Sequence, residues 1–251
     1  MQVEPSGLSS PPPLLEARAV RKVYRTGAAE VVALDGLDLT VCESEFVAVM
    51  GPSGSGKTTL LNCLSGLDEI DGGQVLLDGR DLQQMSDAER TTNRAESMGF
   101  VFQQFNLIQV MTAAENVELP LLLAGRAPSQ ARRRAIEMLE RVGLGHRHDH
   151  RPSELSGGEQ QRVTIARAVA GKPRLVWADE PTGALDSETA DEVMSLLREL
   201  HREGLTLVLV THDASIGEAA PRLVRMRDGR MTSDERRPVV SGVRPSSTGG
   251  G

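Results

Sequence analysis

No stretch of this sequence approaches the roughly 20 consecutive apolar residues that a bilayer-crossing helix needs. The apolar runs at 119–124 and 205–210 are far too short, so any membrane function must pass through a partner. The opening 13 residues are polar and rich in Pro and Ser without an apolar centre, so no secretory leader is expected there. Cysteine is nearly absent: Cys42 and Cys63 are the only two, each in apolar surroundings. That usage suits a reduced, cytosolic protein and excludes a disulfide scaffold. Lysine is scarce too, standing only at positions 22, 57 and 172. With 35 acidic against 28 basic residues, a net charge of −7 and a pI near 5.4, there is no basic excess to neutralise phosphates. A nucleic-acid partner is therefore not expected.

What is present is ordinary globular material, 39% apolar and 25% charged over 251 residues, enough for a substantial core. One domain with an attached subdomain is expected over 14–234, between tails at 1–13 and 235–251 whose composition cannot offset ordering entropy. Between the tails, Phe46–Met50 and the runs 175–178 and 205–210 are continuously apolar. That pattern marks strands covered on both faces, as in a parallel sheet. Leu60, Leu61, Leu64 and Leu67 follow the first run, and Val193, Leu196, Leu197 and Leu200 follow the second, at helical spacing. Alternating strands and helices imply an α/β fold. The segment 104–165 has no strand pattern; it carries an apolar patch at 117–123 and a helix built on Ile136, Leu139 and Val142. It reads as an α-helical subdomain, with Arg132, Arg133 and Arg134 on a solvated face.

The chemistry concentrates in three places. Residues 51–59 read GPSGSGKTT, placed between a strand and a helix. This is the phosphate-loop pattern, in which the glycines let backbone N–H groups turn toward phosphates and the helix start adds positive dipole. Gly51, Pro52, Ser53, Gly54, Ser55, Gly56, Lys57, Thr58 and Thr59 are thus candidate nucleotide ligands. Lys57 would reach the β- and γ-phosphates, and the Thr58 hydroxyl would ligate Mg²⁺. An apolar strand ending in Asp179 and Glu180 puts two carboxylates at a strand's C-terminal edge, where such sheets bind ligands. Asp179 is placed to hold the metal, and Glu180 to polarise the attacking water. Residues 155–162 read LSGGEQQR, where Ser156 and Glu159 fit a capping box and Gly157 and Gly158 leave the first turn unobstructed. A second anion-binding helix start on one chain implies another nucleotide, or another subunit's nucleotide.

On these residues the sequence resembles the ABC transporter ATPase family over roughly 14–234. GPSGSGKTT looks like its Walker A, Gln103 in VFQQFN its Q-loop glutamine, LSGGEQQR its signature, and LVWADE its Walker B. Ala184-Leu185-Asp186 resembles its D-loop and His212 in VTHD its switch histidine. The resemblance implies a RecA-like P-loop NTPase core with an antiparallel N-terminal β subdomain and a helical signature subdomain. It implies ATP and Mg²⁺ as ligands, with Gln103 beside the metal and Asp186 near the nucleotide. It further implies a head-to-tail homodimer in which Ser156, Gly157 and Gly158 of one subunit close on the γ-phosphate held by Lys57 of the other. Tyr24 matches the aromatic that stacks on adenine, although a lone Tyr near a strand is also often a packed residue. His212 has the same two readings, phosphate contact or the end of a buried strand.

The segments around Gln103, LSGGEQQR and DEPTGALDS look like the lipoprotein-release and macrolide-export branch (LolD/MacB-type). Ala184 replaces the Asn often found there, and Gln109 stands where Pro is frequent. The expected role is therefore an ATPase at the cytoplasmic face of the cell membrane that drives a separate MacB/FtsX-like permease. A regulatory role, controlling an extracytoplasmic enzyme through a membrane partner, is the alternative. Neither the long coiled coil nor the tandem cassettes of DNA-repair and translation relatives are present, and a P-loop kinase gives LSGGEQQR no purpose. His146, His148 and His150 alternate in a polar loop without a matching ligand cluster and read as solvated; Trp177 reads as core.

Overall fold

The computed structural model describes residues 13–27 and 29–237. In chain order it runs β1 (Pro13–Thr26), β2 (Ala29–Cys42), β3 (Phe46–Met50), α1 (Lys57–Leu64), β4 (Gly72–Leu77), β5 (Arg80–Asp81), α2 (Asp87–Ser97) and β6 (Met98–Phe102). Then follow α3 (Ala113–Leu123), α4 (Pro128–Arg141), α5 (Gly157–Ala170), β7 (Leu175–Asp179), α6 (Ser187–Arg202), β8 (Thr206–Thr211), α7 (Ala214–Glu218), β9 (Arg222–Arg227) and β10 (Arg230–Arg236).

The expected α/β architecture is present. β3, β6, β7, β8 and β9 form a parallel sheet in the order β9-β3-β8-β7-β6, with β10 antiparallel at the edge. Its central strands β3, β8 and β7 are almost wholly apolar because both faces are covered. Phe46, Ala48, Met50, Leu207 and Leu209 face a core shared with α3 to α7. Val47, Val49, Val208 and Val210 face the opposite core, with α1 and the second sheet. That second sheet is antiparallel, β2-β1-β4-β5, as the family resemblance implies. Cys42, Cys63 and Trp177 are all buried.

Residues 104–165 contain helices and no strand, and α5 carries the helical layer on to Ala170. Three expectations need correction. Ile136 is only half-buried; Ala131, Ala135, Met138 and Leu139 form the inward face of α4, because small residues let it lie close to α3 and α5. Arg132 and Arg134 are not simply solvated. Arg132 pairs with Glu118 at 2.9 Å and Asp149 at 2.9 Å, and Arg134 donates to the Ala170 carbonyl at 3.1 Å. His148 and His150 are half-buried as well, since their carbonyls accept the Ala114 and Ala113 N–H groups at 2.9 and 2.8 Å and close the start of α3.

At the ends, Pro13 already pairs with Cys42, and β10 continues through Glu235 and Arg236, paired with Leu223 and Arg222, where the sequence placed tail. Charge holds that extension: Arg236 reaches Glu45 at 2.8 Å. The remainder of both expected tails, 1–12 and 238–251, lies outside the described residues.

Candidate functional site

The phosphate loop leaves the C-terminal end of β3 and closes onto α1. Its path requires glycine where the chain turns left-handed, at Gly54 (φ 79°) and Gly56 (φ 98°). A Cβ on Gly56 would also strike the Ala33 carbonyl, and one on Gly51 the Met226 carbonyl. Gly56 caps α1 without any side-chain hydrogen bond, so no side chain occupies the helix's positive end. Pro52, Ser53 and Gly54 are exposed along the loop, Thr59 is half-buried, and the Ser55 hydroxyl is buried with no hydrogen-bond partner. Lys57 folds back over this concavity, donating to the carbonyls of Gly51 at 2.8 Å and Pro52 at 3.0 Å.

Opposite the loop, the C-terminal edge of the parallel sheet gathers the acids. β7 ends on Asp179, whose carboxylate accepts from the Thr58 hydroxyl at 3.1 Å. Burial, with Glu180 as a neighbouring like charge, pushes the Asp179 carboxyl above the usual aspartate range; Thr58 and Lys57 pull the other way. Glu180 sits in the left-handed region at φ 48°, a conformation that costs energy for a non-glycine residue. Its N–H donates to the Val210 carbonyl at 2.9 Å. Its carboxylate is held between His212 Nδ1 at 2.7 Å and the Thr211 hydroxyl at 3.2 Å, both from the end of β8. Parallel pairing of β7 with β8 delivers these side chains to one place, since Asp179 stands opposite Val210 in the register.

Gln103 lies exposed in the turn after β6, its amide against Gly183. Asp186 caps α6, accepting from the Thr189 N–H at 3.0 Å and hydroxyl at 2.8 Å; these hydrogen bonds hold its carboxyl below the usual range. Ser156, Gly157, Gly158 and Glu159 belong to the helical layer. Ser156 N donates to the Glu159 carboxylate at 2.8 Å, and Glu159 N to the Ser156 hydroxyl at 3.2 Å, completing the capping box. The backbone bond from Ser156 leads the effects that hold the Glu159 carboxyl low, and Arg147 adds an ion pair at 3.2 Å.

Tyr24 stands on β1 with 39% of its surface exposed. Its hydroxyl donates to Asp68 at 2.8 Å, and burial with that carboxylate pushes the phenol's pKa up. The structure therefore joins Thr58, Asp179, Glu180 and His212 directly around the loop carrying Lys57, and distributes Tyr24, Gln103, Asp186 and Ser156–Glu159 over other elements. Sequence reasoning passed over Thr211, Lys22 and Asp68. Thr211 was detectable as the residue before His212 at a strand's C-terminal end; Asp68 is 44 residues from Tyr24 and left no local signal.

Residues 34–183 match the ABC transporter family model. An uncharacterised ABC transporter ATP-binding protein of Thermotoga maritima is 48% identical over 229 residues, covering 91% of this chain and 98% of that one. A macrolide export ATP-binding/permease protein, MacB, of Marinobacter nauticus is 47% identical over 225 residues. The match takes in 90% of this chain and 35% of MacB, so the chain spans about a third of that relative's length. Among solved structures, the ATP-binding cassette MJ0796, in a dimeric post-hydrolysis state bound to ADP and Pi, superimposes with a TM-score of 0.82 at 42% identity, over 89% of this chain and 99% of that one. A second dimeric MJ0796 structure gives 0.83 at 43%. With its motifs in family order on a cassette fold, the chain belongs to the ABC transporter family and is one of its ATP-binding, ATP-hydrolysing cassettes.

Proposed function

We propose that this cassette hydrolyses ATP held between two copies of itself and uses the closure to drive a separate MacB/FtsX-like membrane permease in export or extraction. The observation that carries the reading is the cluster at the sheet edge: Thr58 hydrogen-bonded to Asp179 and His212 to Glu180, the two acids adjacent in the chain, facing a helix start that carries Lys57 and no side-chain cap. Water attacks the γ-phosphorus, Glu180 takes its proton, and ADP leaves as phosphate forms. His212 orients Glu180 and contacts the phosphate. The strained backbone at Glu180 fits a carboxylate fixed for one task.

The donor set suits Mg²⁺: the Thr58 hydroxyl and the Asp179 carboxylate are hard oxygen ligands 3.1 Å apart, with Gln103 as the third candidate. The ion would neutralise charge building on the phosphates. The charge of Lys57 would swing from the loop carbonyls to the β- and γ-phosphates. Tyr24 would stack on the adenine, its ring already exposed beside Val31. The capped start of α5 would receive the γ-phosphate of the partner copy's ATP through Ser156, Gly157 and Gly158, with Glu159 and Asp186 nearby. That both MJ0796 structures are dimers supports this arrangement.

A membrane partner is supported by the MacB relatives, named as combined ATP-binding/permease proteins. No helix among the described residues is long and apolar enough to cross a membrane, so the spanning element would come from that partner. A groove of about 660 Å³ beside the Gln103 turn, lined by Phe100, Phe102, Leu119 and Leu123, would seat one of its helices, placing the cassette at the cytoplasmic face of the membrane. The test is Glu180→Gln, which should bind ATP and hydrolyse it slowly. Size-exclusion chromatography with ATP and Mg²⁺ should then trap a dimer; a monomer at saturating ATP, in the presence of the permease, would contradict the proposal.

A further inference from the structure

We infer that Asp68 is a positioning residue for the nucleotide base: with Lys22 it locks the ring of Tyr24 in place before ATP arrives. The inference rests on the proposed stacking of Tyr24 on adenine and goes beyond it, because it assigns the order of that platform to a residue outside every nucleotide motif.

Lys22 and Tyr24 are two apart on β1, and both side chains reach Asp68. Lys22 Nζ lies 5.1 Å from the centre of the Tyr24 ring, within cation–π reach. Both oxygens of Asp68 are engaged, one with each neighbour. Oδ1 accepts from Lys22 Nζ at 2.8 Å and Oδ2 from the Tyr24 hydroxyl at 2.8 Å. Lys22 makes a further bond to the Glu69 carbonyl at 2.7 Å. The loop bearing Asp68 is itself anchored: Asp68 N donates to the Asn62 carbonyl of α1 at 3.0 Å, Asp71 N to the Arg21 carbonyl at 2.8 Å, and Val23 N to the Asp71 carboxylate at 2.7 Å. Burial opposes ionisation of Asp68, but the hydrogen bonds from Lys22 and Tyr24 prevail and hold its carboxyl below the usual range.

Fold stability alone gives poor reason for this arrangement. The Tyr24 ring is 39% exposed, and water could satisfy its hydroxyl. Its cross-strand partner Val31 is 59% exposed, so the clamp holds the edge of an open apolar platform. A side chain fixed before binding spares the ligand the entropy of ordering it, an effect worth about three- to ten-fold in affinity. A phosphate-only ligand gains nothing from it.

The full-length chain tests this with ATP and inorganic tripolyphosphate as probes, since only ATP carries a base. Asp68→Ala should weaken ATP about three- to ten-fold and leave tripolyphosphate within about two-fold, with Asp68→Asn, which keeps an oxygen for the phenol, falling between. Tyr24 is the one tyrosine in the sequence, so tyrosine labelled with ¹³C at Cζ gives a single resonance. That resonance should move on ATP binding, and should shift in the unliganded Asp68→Ala protein. Unchanged ATP affinity in Asp68→Ala overturns the inference, as does an equal loss for both probes, which would make Asp68 a prop for the phosphate loop. A wild-type resonance unmoved by ATP overturns the stacking reading beneath it, so the two failures are distinguishable. If Asp68→Ala does not fold, Lys22→Met carries the same expectation and the same refutation.

Discussion

Asp179 illustrates how a single side chain trades stability for chemistry. Its carboxyl is raised by burial and by Glu180, so the ionised form is a cost to the folded state. The sign follows directly: the penalty is absent below the ordinary aspartate pKa, where folded and unfolded states are both protonated, and complete above the folded-state value. At neutral pH, Asp179→Asn should therefore melt no lower than wild type while losing Mg²⁺-dependent turnover. A lower melting temperature by calorimetry at pH 7 would contradict this. Lys57 makes the opposite case, since its partners in the free protein are two loop carbonyls and its proposed work lies in the transition state. Lys57→Ala should lower ATP turnover by orders of magnitude, with wild-type turnover as the contrary result. The phosphate loop, the two carboxylates and the histidine were legible because each follows a strand end at short, fixed spacing. The left-handed backbone of Glu180 was not, nor which acid the detectable Thr211 would touch, because both depend on β8 lying beside β7.

Among the elements, legibility followed hydrophobic pattern. Strands β3, β7 and β8 are buried on both faces and announce themselves as apolar runs. α2 buries no residue, and only its Ser86–Glu89 capping box marks it. β1 and β2 pair through register shifts around Ala17–Val23, including a left-handed Ala19 at φ 48°, which scramble the alternation a strand would otherwise show. α4 misled through Ile136, a large apolar residue at the margin of a face actually lined by Ala131, Ala135, Met138 and Leu139. The β9–β10 hairpin was read as partly tail because charge rather than apolar burial holds it. Arg222, 7% exposed, donates to Asp234 at 2.8 and 2.7 Å, to Glu45 at 2.8 Å and to the Thr40 carbonyl at 2.7 Å. Removing it takes the bidentate partner from Asp234 while Glu45 keeps Arg236, so Arg222→Met should cost about 3 kcal/mol in urea unfolding, the lower end for a broken buried pair because Asp234 also keeps contact with water. The Arg222 bond holds the Asp234 carboxyl below the usual range. Its share of stability is therefore present above the ordinary aspartate pKa and lost as pH falls through the lower folded value. In Arg222→Met that acid-sensitive share should vanish.

At the scale of the whole molecule, the question is how the sheet edge reaches the groove. Three elements meet there: the Gln103 turn, the last turns of α5 and the segment leading into α3. Gln103 lies against Gly183, just after the acids of β7, while Phe105 and Asn106 continue the turn in left-handed conformations at φ 56° and 52°. Their carbonyls accept from Arg167 of α5 at 3.0 and 2.7 Å, and desolvation lowers the pKa of that half-buried guanidinium. A shift of Gln103 toward the nucleotide would thus pull on a strained turn tied to the signature helix and bordering the groove, where Leu123 is 75% exposed. Coupling of this kind needs contacts that differ between ATP and ADP states, and the turn supplies a place for them. Two variants separate docking from transmission. Leu123→Asp puts a charge on the groove's apolar rim and should abolish co-purification with the permease. Gln103→Ala should leave the permease bound and ATP affinity largely intact, yet lower its stimulation of ATPase activity by about ten-fold, equivalent to ~1.4 kcal/mol in the activation barrier. Equal stimulation of wild type and Gln103→Ala by the reconstituted permease would break the proposed link, whereas normal co-purification of Leu123→Asp would move the docking surface elsewhere.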